Sequence, residues 1–396
     1  VTGVRILMVT PLVPFLPSHD GVRVDAAHRL AHLSRRHDVA LVAVAAPHDR
    51  EAERRWARAY ADPCLVLPRA RWRRPVTLAP ANGLRAVLRA VEHVAARFAP
   101  DVLHLDGPVL APLAALAGLP TVLAAHGSRA RFARDMRRLT TTPHAWVRAW
   151  ARERAERRWE RRWFRHAAAC VVSSDEDRLA LADAVPAAQL DVIPPGIALR
   201  RYPFRAVTRG HRIVFTGNLA WGPDADAARR LATEILRRVR RGRPAAEVVI
   251  AGATPGPAVR ALESLPGVRV AATASDLRLI LASAAVFVSP VRAGSGPKLA
   301  VLEAMALGAP VVATSPALAG LGVQPGHDAI VADSDADLAD AVLAVLEQPV
   351  LAATLATNAR GLVERRYAWP GLTQAWDAVL ARVAGQDADA PVRSAA

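Results

Sequence analysis

Lys298 is the only lysine in the chain; the other 51 of its 52 basic residues are arginines. It stands in Arg292-Ala-Gly-Ser-Gly-Pro-Lys298-Leu-Ala-Val-Leu-Glu303, a glycine-rich turn running into an apolar helix. The first turn of a helix presents N–H groups without intrahelical partners at the positive end of the dipole, which suits a phosphate. An ammonium beside it adds a compact point charge. In a chain this biased toward arginine, one lysine surviving by chance is the competing reading, and position alone does not separate the two. The first strand offers less. It runs into Thr10-Pro11-Leu12-Val13-Pro14 and then His19-Asp20-Gly21, so prolines stand where a dinucleotide-binding turn needs its glycines. Gly21, before a helix, lets backbone N–H groups approach a phosphate or simply makes the turn. Cys64 and Cys170 lack metal-ligand spacing and read as reduced core residues. No His/Asp/Glu cluster suggests a metal site.

The elements that must position these residues follow an alternating pattern. Near-continuous Val/Ile/Leu runs separated by helices indicate parallel sheets covered on both faces. In the first half, strands are expected at 5–10, 39–45, 64–67, 102–105, 121–125, 168–173 and 190–193. Helices are expected at 22–35, 83–98 and from about 144 to 165. Ile193-Pro194-Pro195-Gly196-Ile197 breaks the pattern as a linker, irregular to about 210. Strands then follow at 213–216, 247–251, 268–271, 285–289 and 310–313. Helices are expected at 225–239, 298–306, 335–347, 351–365 and 371–383. Two doubly wound domains facing each other would put strand C-terminal ends at a shared cleft.

With 396 residues and 52% hydrophobic content, the chain has enough apolar material for two cores. No leader-like pattern and no apolar run of transmembrane length is visible, so the expected location is the cytoplasm. The formal charge of +16 is concentrated between Arg129 and Arg165, where thirteen arginines face four carboxylates. No nucleic-acid-binding signature accompanies it, so no nucleic-acid partner is expected; a face toward lipid or an acidic substrate is the better reading. In this segment Trp146 and Trp150 share a helix face, as do Trp159 and Trp163. A nine-residue step turns a helix about half a circle, so one continuous helix would set the pairs on opposite sides. An exposed pair among arginines would make peripheral contact with an anionic membrane, at the inner face for a cytoplasmic protein. Aromatic stripes are more often core, which favours a kinked helix with all four tryptophans inside.

Ser289-Pro290, the glycine-rich loop, Lys298 and Leu302-Glu303-Ala304-Met305-Ala306-Leu307-Gly308-Ala309-Pro310-Val311-Val312 resemble the signature of family-four glycosyltransferases. The Pro194-Pro195-Gly196-Ile197 junction, Phe215-Thr216-Gly217-Asn218, Ile250-Ala251-Gly252 and Tyr367-Ala368-Trp369 fall in the family's order. Gly217-Asn218-Leu219 together with Arg292-Ala-Gly-Ser-Gly resembles a branch linked to exopolysaccharide and other bacterial glycan assembly. The resemblance implies the GT-B fold of two Rossmann-like domains. It assigns an acceptor domain at 1–200, joined by a returning helix at 370–384. A nucleotide-sugar domain follows at 205–369, with a tail at 385–396. It implies a retaining, metal-independent hexosyl transfer from a nucleoside-diphosphate sugar to an acceptor hydroxyl. That sugar is a co-substrate, so no cofactor is expected; the acceptor is a glycan, a lipid-linked glycan or a small molecule.

The same resemblance distributes roles. Glu303 matches the second glutamate of a Glu-x7-Glu motif and grips the ribose hydroxyls, accepting two O–H groups in charge-assisted hydrogen bonds. Lys298 and the Leu299 backbone match positions beside the diphosphate, and Arg292 supplies a second cation; Gly21, Gly217, Asn218, Ser295 and Gly296 complete the expected donor-binding set. His126 matches a histidine facing the donor sugar. Two departures stand out. Ser295 replaces the first glutamate of the motif, and Asn218 replaces the arginine after the first strand of the second domain, with no lysine following. Phosphate neutralisation then falls on Arg292 and Lys298. The runner-up on the same fold is a sugar-nucleotide 2-epimerase; from another class, Ser295 permits a catalytically silent sugar-nucleotide-binding partner protein.

Overall fold

A computed structural model describes residues 3–18, 20–45, 49, 51–68, 82–205, 210–252, 254–272, 276–294 and 297–385. The apolar runs of the first half form seven parallel strands. They are β1 (Arg5–Thr10), β2 (Asp38–Val44), β3 (Cys64–Leu67), β4 (Val102–Asp106), β5 (Thr121–Ala124), β6 (Ala169–Val172) and β7 (Leu190–Val192), in the spatial order β3-β2-β1-β4-β5-β6-β7. Ile6 of β1 lies between Val39 of β2 and Val102 of β4. From Ile6 to Thr10 every β1 residue is buried, as a strand covered on both faces must be. The helices between them are α1 (Gly21–Leu33), α2 (Glu51–Arg58), α3 (Asn82–Phe98), α4 (Leu113–Leu116), α5 (Arg129–Arg138), α6 (Pro143–Trp163) and α7 (Asp175–Leu181).

The second half repeats the design. Strands β8 (Arg212–Thr216), β9 (Glu247–Ala251), β10 (Val268–Ala271), β11 (Val286–Ser289), β12 (Val311–Ala313) and β13 (Ile330–Val331) form a sheet in the order β10-β9-β8-β11-β12-β13. Its helices are α8 (Gly222–Arg230), α9 (Leu236–Gly242), α10 (Pro257–Arg260), α11 (Leu277–Leu281), α12 (Leu299–Leu307), α13 (Ser315–Leu318), α14 (Asp335–Glu347) and α15 (Pro349–Arg366). A π turn, Leu231–Ile235, joins α8 to α9, so the single helix expected at 225–239 is broken in register. Phe215 and Phe287 are fully buried on adjacent strands; truncating such a ring costs about 3–5 kcal/mol.

The chain divides into two units, one around each sheet, with the second made of Pro195–Ala368 and the short segment Pro17–Gly21. The last helix, α16 (Trp369–Val383), packs within the first unit. Trp369 stacks on His32 at 4.7 Å, Asp377 pairs with His37 at 2.8 Å, and Arg382 pairs with Asp191 at 2.5 Å. In each sheet the strand order reverses beside the first strand, between β1 and β4 and between β8 and β11. Doubly wound sheets bind ligands beyond the carboxyl ends of strands at that point. Thr10 and Asp106 end one such pair; Thr216 and Ser289 end the other.

The arginine-rich segment overturns the favoured expectation of a kinked helix with four buried tryptophans. Helix α6 is continuous over 21 residues. Trp163 is buried and Trp159 donates its indole N–H to the Pro108 carbonyl at 3.2 Å, while Trp146 and Trp150 are 43% and 39% exposed. The half-circle step won over the tendency of aromatics to be core. No single described helix is long and apolar enough to cross a membrane.

Candidate functional site

In the second unit, three expected residues converge on the β11–α12 turn. Lys298 is the N-cap of α12, its carbonyl accepting the first intrahelical bonds from Val301 and Leu302 at 3.0 and 3.3 Å. Its ammonium lies 5.4 Å from the centroid of the Trp221 ring, a cation–π placement. A Cβ on Gly294 would meet that ammonium, so a side chain there would displace the flexible end of Lys298. The start of the loop is pinned from behind. Buried Arg230 donates to the Pro290 carbonyl at 2.6 Å and to Asp335 at 2.5 Å, and the Thr314 hydroxyl donates to the Val291 carbonyl. Arg292 then reaches Asp226 of α8 through Nε and Nη2 at 3.0 and 2.8 Å. Ser295 and Gly296 lie outside the described residues.

Across the β8–α8 turn, Asp224 organises the backbone. Its Oδ2 accepts the Asn218 N–H at 2.8 Å, and a Cβ on Gly217 would lie 2.7 Å from that oxygen. Burial pushes the Asp224 carboxyl up to about 6, against the opposing pull of the Asn218 N–H and of Lys298. Both cations therefore already have a carboxylate at hand: Arg292 has Asp226, and Lys298 feels Asp224. On α12, Glu303 Oε1 accepts the Tyr202 hydroxyl at 2.5 Å. Burial lifts Glu303 to about 7 even though Tyr202 and Arg278 favour its charged form. The phenol is in turn held far above its ordinary range, by burial and then by the neighbouring Glu303 charge.

In the first unit, His126 follows β5 with φ 56°, and Gly127 follows with φ 135°. The left-handed pair turns the chain sharply, and a Cβ on Gly127 would press on the Asp177 carboxylate at 3.1 Å. His126 Nε2 lies 2.6 Å from Asp106 Oδ1, which also accepts from Arg29 Nη1 at 2.7 Å. Arg29 bonds Asp25 as well. Burial opposes the charge on Asp106, but Arg29 and His126 hold its carboxyl well below the usual range. An ionised Asp106 can only accept, so His126 donates to it from Nε2, while its Nδ1 lies 3.9 Å from Asp25 Oδ2. His104, buried beside them, is pushed down to about 3 by burial and Arg29 and stays neutral. Gly21 begins α1.

Among the described residues no three His, Cys, Asp or Glu side chains gather as a metal site. Sequence reasoning missed Tyr202, Trp221, Asp224, Asp226, Arg230 and Thr314 here, and Arg29, Asp25 and Asp106 behind His126. Apart from the Asp25–Arg29 and Asn218–Asp224 pairs, their partners are distant in the chain, so no local spacing announces them. Only the Asp224-Ala-Asp226 pair at a helix start was a visible signal.

Comparison with known proteins fits this arrangement. The sequence profile of Glycosyltransferase Family 4 matches residues 20–201, and that of Glycosyl transferases group 1 matches residues 210–348. The chain belongs to this glycosyltransferase family. Its members transfer a sugar from a nucleotide sugar, and its paired parallel sheets are those of the GT-B fold. Solved structures agree on the fold. Sucrose-phosphate synthase from Thermosynechococcus elongatus has a TM-score of 0.74 at 15% identity, covering 97% of this chain and 100% of its own. Anabaena HepE in complex with UDP-glucose gives 0.68 at 16%, with 96% and 100% covered. A glycosyltransferase from Rickettsia africae gives 0.67 at 11%, with 97% and 100% covered. No protein of curated function matches the sequence significantly.

Proposed function

We propose that this glycosyltransferase moves a hexose from a UDP-sugar to an acceptor hydroxyl with retention and without a metal ion, in glycolipid or polysaccharide assembly. The observation that supports it is the β11–α12 turn, where Arg292, Lys298 and Glu303 fall within twelve residues around the N-terminus of α12. The chemical problem is breaking an anomeric C–O bond while negative charge builds on the departing diphosphate. Preorganised cations and N–H groups stabilise that charge without reorganising. Lys298 and the α12 N-terminus take the diphosphate, and Arg292 leaves Asp226 to assist. Glu303, with Oε1 fixed by Tyr202, offers its other oxygen to the ribose. His126 acts toward the sugar, its ring set by Asp106. UDP-glucose as the first donor to test rests on the HepE complex. The same reading includes the domain division at 200–205 and peripheral contact of segment 129–165 with anionic lipid.

A thermal-shift panel of UDP-, GDP-, ADP- and TDP-sugars tests the donor, since a tight ligand raises apparent stability by mass action. UDP-sugars are expected to give the largest shift, and no shift with any of them overturns the donor assignment. NMR of the product should show the donor's anomeric configuration kept, with the rate unchanged in EDTA. Ser295, in place of the family's glutamate, favours a silent sugar-nucleotide-binding protein as the second reading. Failure to release nucleoside diphosphate with any acceptor would establish it. An epimerised free sugar nucleotide would point to the epimerase.

A further inference from the structure

We propose that the outer end of the α5–α6 hairpin, centred on Leu139, Trp146, Val147 and Trp150, is a docking surface for an anionic lipid bilayer. This narrows the lipid contact of segment 129–165 to one end of it and does not depend on the sugar chemistry. Most of the segment's inner arginines are occupied in holding the hairpin together. Arg129 grips Glu156 through two bonds of 2.7 Å, Arg137 holds Glu153 at 2.9 Å, and Arg131 faces Asp177 at 3.4 Å. The groove of about 510 Å³ beside them is lined by five arginines and by Asp135, Glu160, Glu176 and Asp183, so most of its positive charge is met by carboxylates.

The other end differs in kind. Residues 139–152 contain His144, Arg148 and Arg152 but no carboxylate, and none of the fourteen is buried. Leu139, Trp146, Val147 and Trp150 are 39–54% exposed, so core packing does not account for them. On α6, Trp146, Trp150 and Val147 fall within an arc of about 100°. Guanidinium groups flank the rings, Arg137 at 5.3 Å from Trp146 and Arg154 at 4.4 Å from Trp150. Tryptophan has an apolar body and one N–H donor, which suits the boundary between acyl chains and headgroups. Arginine stems lie along that boundary while their heads meet lipid phosphates. A rimmed, exposed apolar patch marks an interaction surface. Arg152 lies 3.9 Å from Glu156 and Arg137 is held by Glu153, yet with Arg148 and Arg154 the arginines of this end outnumber the carboxylates beside them. That surplus of positive charge selects an anionic partner, and the aliphatic Leu139 and Val147 select one with hydrocarbon beneath its charge, which a nucleic acid lacks.

The test floats the full chain with vesicles of phosphatidylcholine alone or mixed with phosphatidylglycerol, at low and high salt. Flotation with the anionic vesicles only, weakened by salt, is expected. Trp146→Ala/Trp150→Ala and Arg148→Glu/Arg152→Glu should each lower partitioning at least about ten-fold. Their circular-dichroism melts and UDP binding should match the parent, which separates this surface from the proposed donor site. The proposal is overturned if the parent floats with neither vesicle or if the tryptophan variant floats like the parent. It is equally overturned if the patch instead drives a concentration-dependent dimer, seen by light scattering, that the tryptophan variant abolishes while vesicles are ignored.

Discussion

At the scale of single residues, the second unit sets each candidate site cation against a carboxylate, Arg292 on Asp226 and Lys298 beside Asp224, and the proposed diphosphate would take the carboxylate's place. Lys298→Ala should weaken UDP binding by about ten- to a hundred-fold, the range for losing one charge-assisted contact, with the melting temperature unchanged. Unchanged affinity in calorimetry removes Lys298 from the site. Asp224→Asn keeps an oxygen for the Asn218 N–H but removes the negative charge beside Lys298, so UDP should bind several-fold more tightly at neutral pH. Glu303 adds a pH dependence. In the proposed ribose contact its carboxyl, lifted by burial to about 7, accepts hydroxyls more strongly when ionised, so affinity should fall as pH drops through 7. Stability moves the other way. A carboxyl whose folded pKa is raised contributes stability that is full below its unfolded value and is lost as pH rises through 7. Tyr202→Phe removes a donor that favours the charged form, so the affinity midpoint should shift to higher pH. An unmoved midpoint in a calorimetric pH series refutes the pairing's role.

At the scale of elements, the α5–α6 hairpin carries the sharpest test. Glu160 is buried at its base, where the last turn of α6 meets the start of α5, accepting from Ser128 and from the Ala130 N–H at 3.1 Å, and burial lifts it to about 7. The ionised form is tolerated only at a cost, so Glu160→Gln should melt at a relatively higher temperature at pH 8 than at pH 5, compared with the parent. Parallel melting curves at both pH values would contradict this. The sheets were legible because a strand buried on both faces is apolar along its length, and β1, β3, β9 and β10 fall at the residues expected from their apolar runs. Helices α2 and α5 were not. Helix α2 buries only Ala57, and α5 only Ala130 and Ala133, so neither shows an apolar period; α5 is held by ion pairs. The site was legible where it is local. Lys298 and Glu303 sit five residues apart, whereas Tyr202 lies 101 residues from Glu303 and Asp226 lies 66 from Arg292.

At the scale of the whole molecule, the chain returns at its end to the unit in which it began, and that return reaches the support of His126. Trp376 of α16 is buried, with Arg29 at 4.7 Å over its ring and His104 at 5.1 Å on its edge. Arg29 is the cation that holds Asp106, and Asp106 holds His126. Removing the indole leaves a cavity worth about 3–5 kcal/mol and frees the guanidinium to turn from Asp106. Trp376→Ala should therefore lower the melting temperature by on the order of 10 °C. Below that melting point the turnover rate should fall while UDP affinity stays at the parent value, because the cations and the ribose carboxylate belong to the second unit. A parallel loss of UDP affinity would show that α16 supports the fold at large. Selective loss of turnover assigns this helix a part in setting His126.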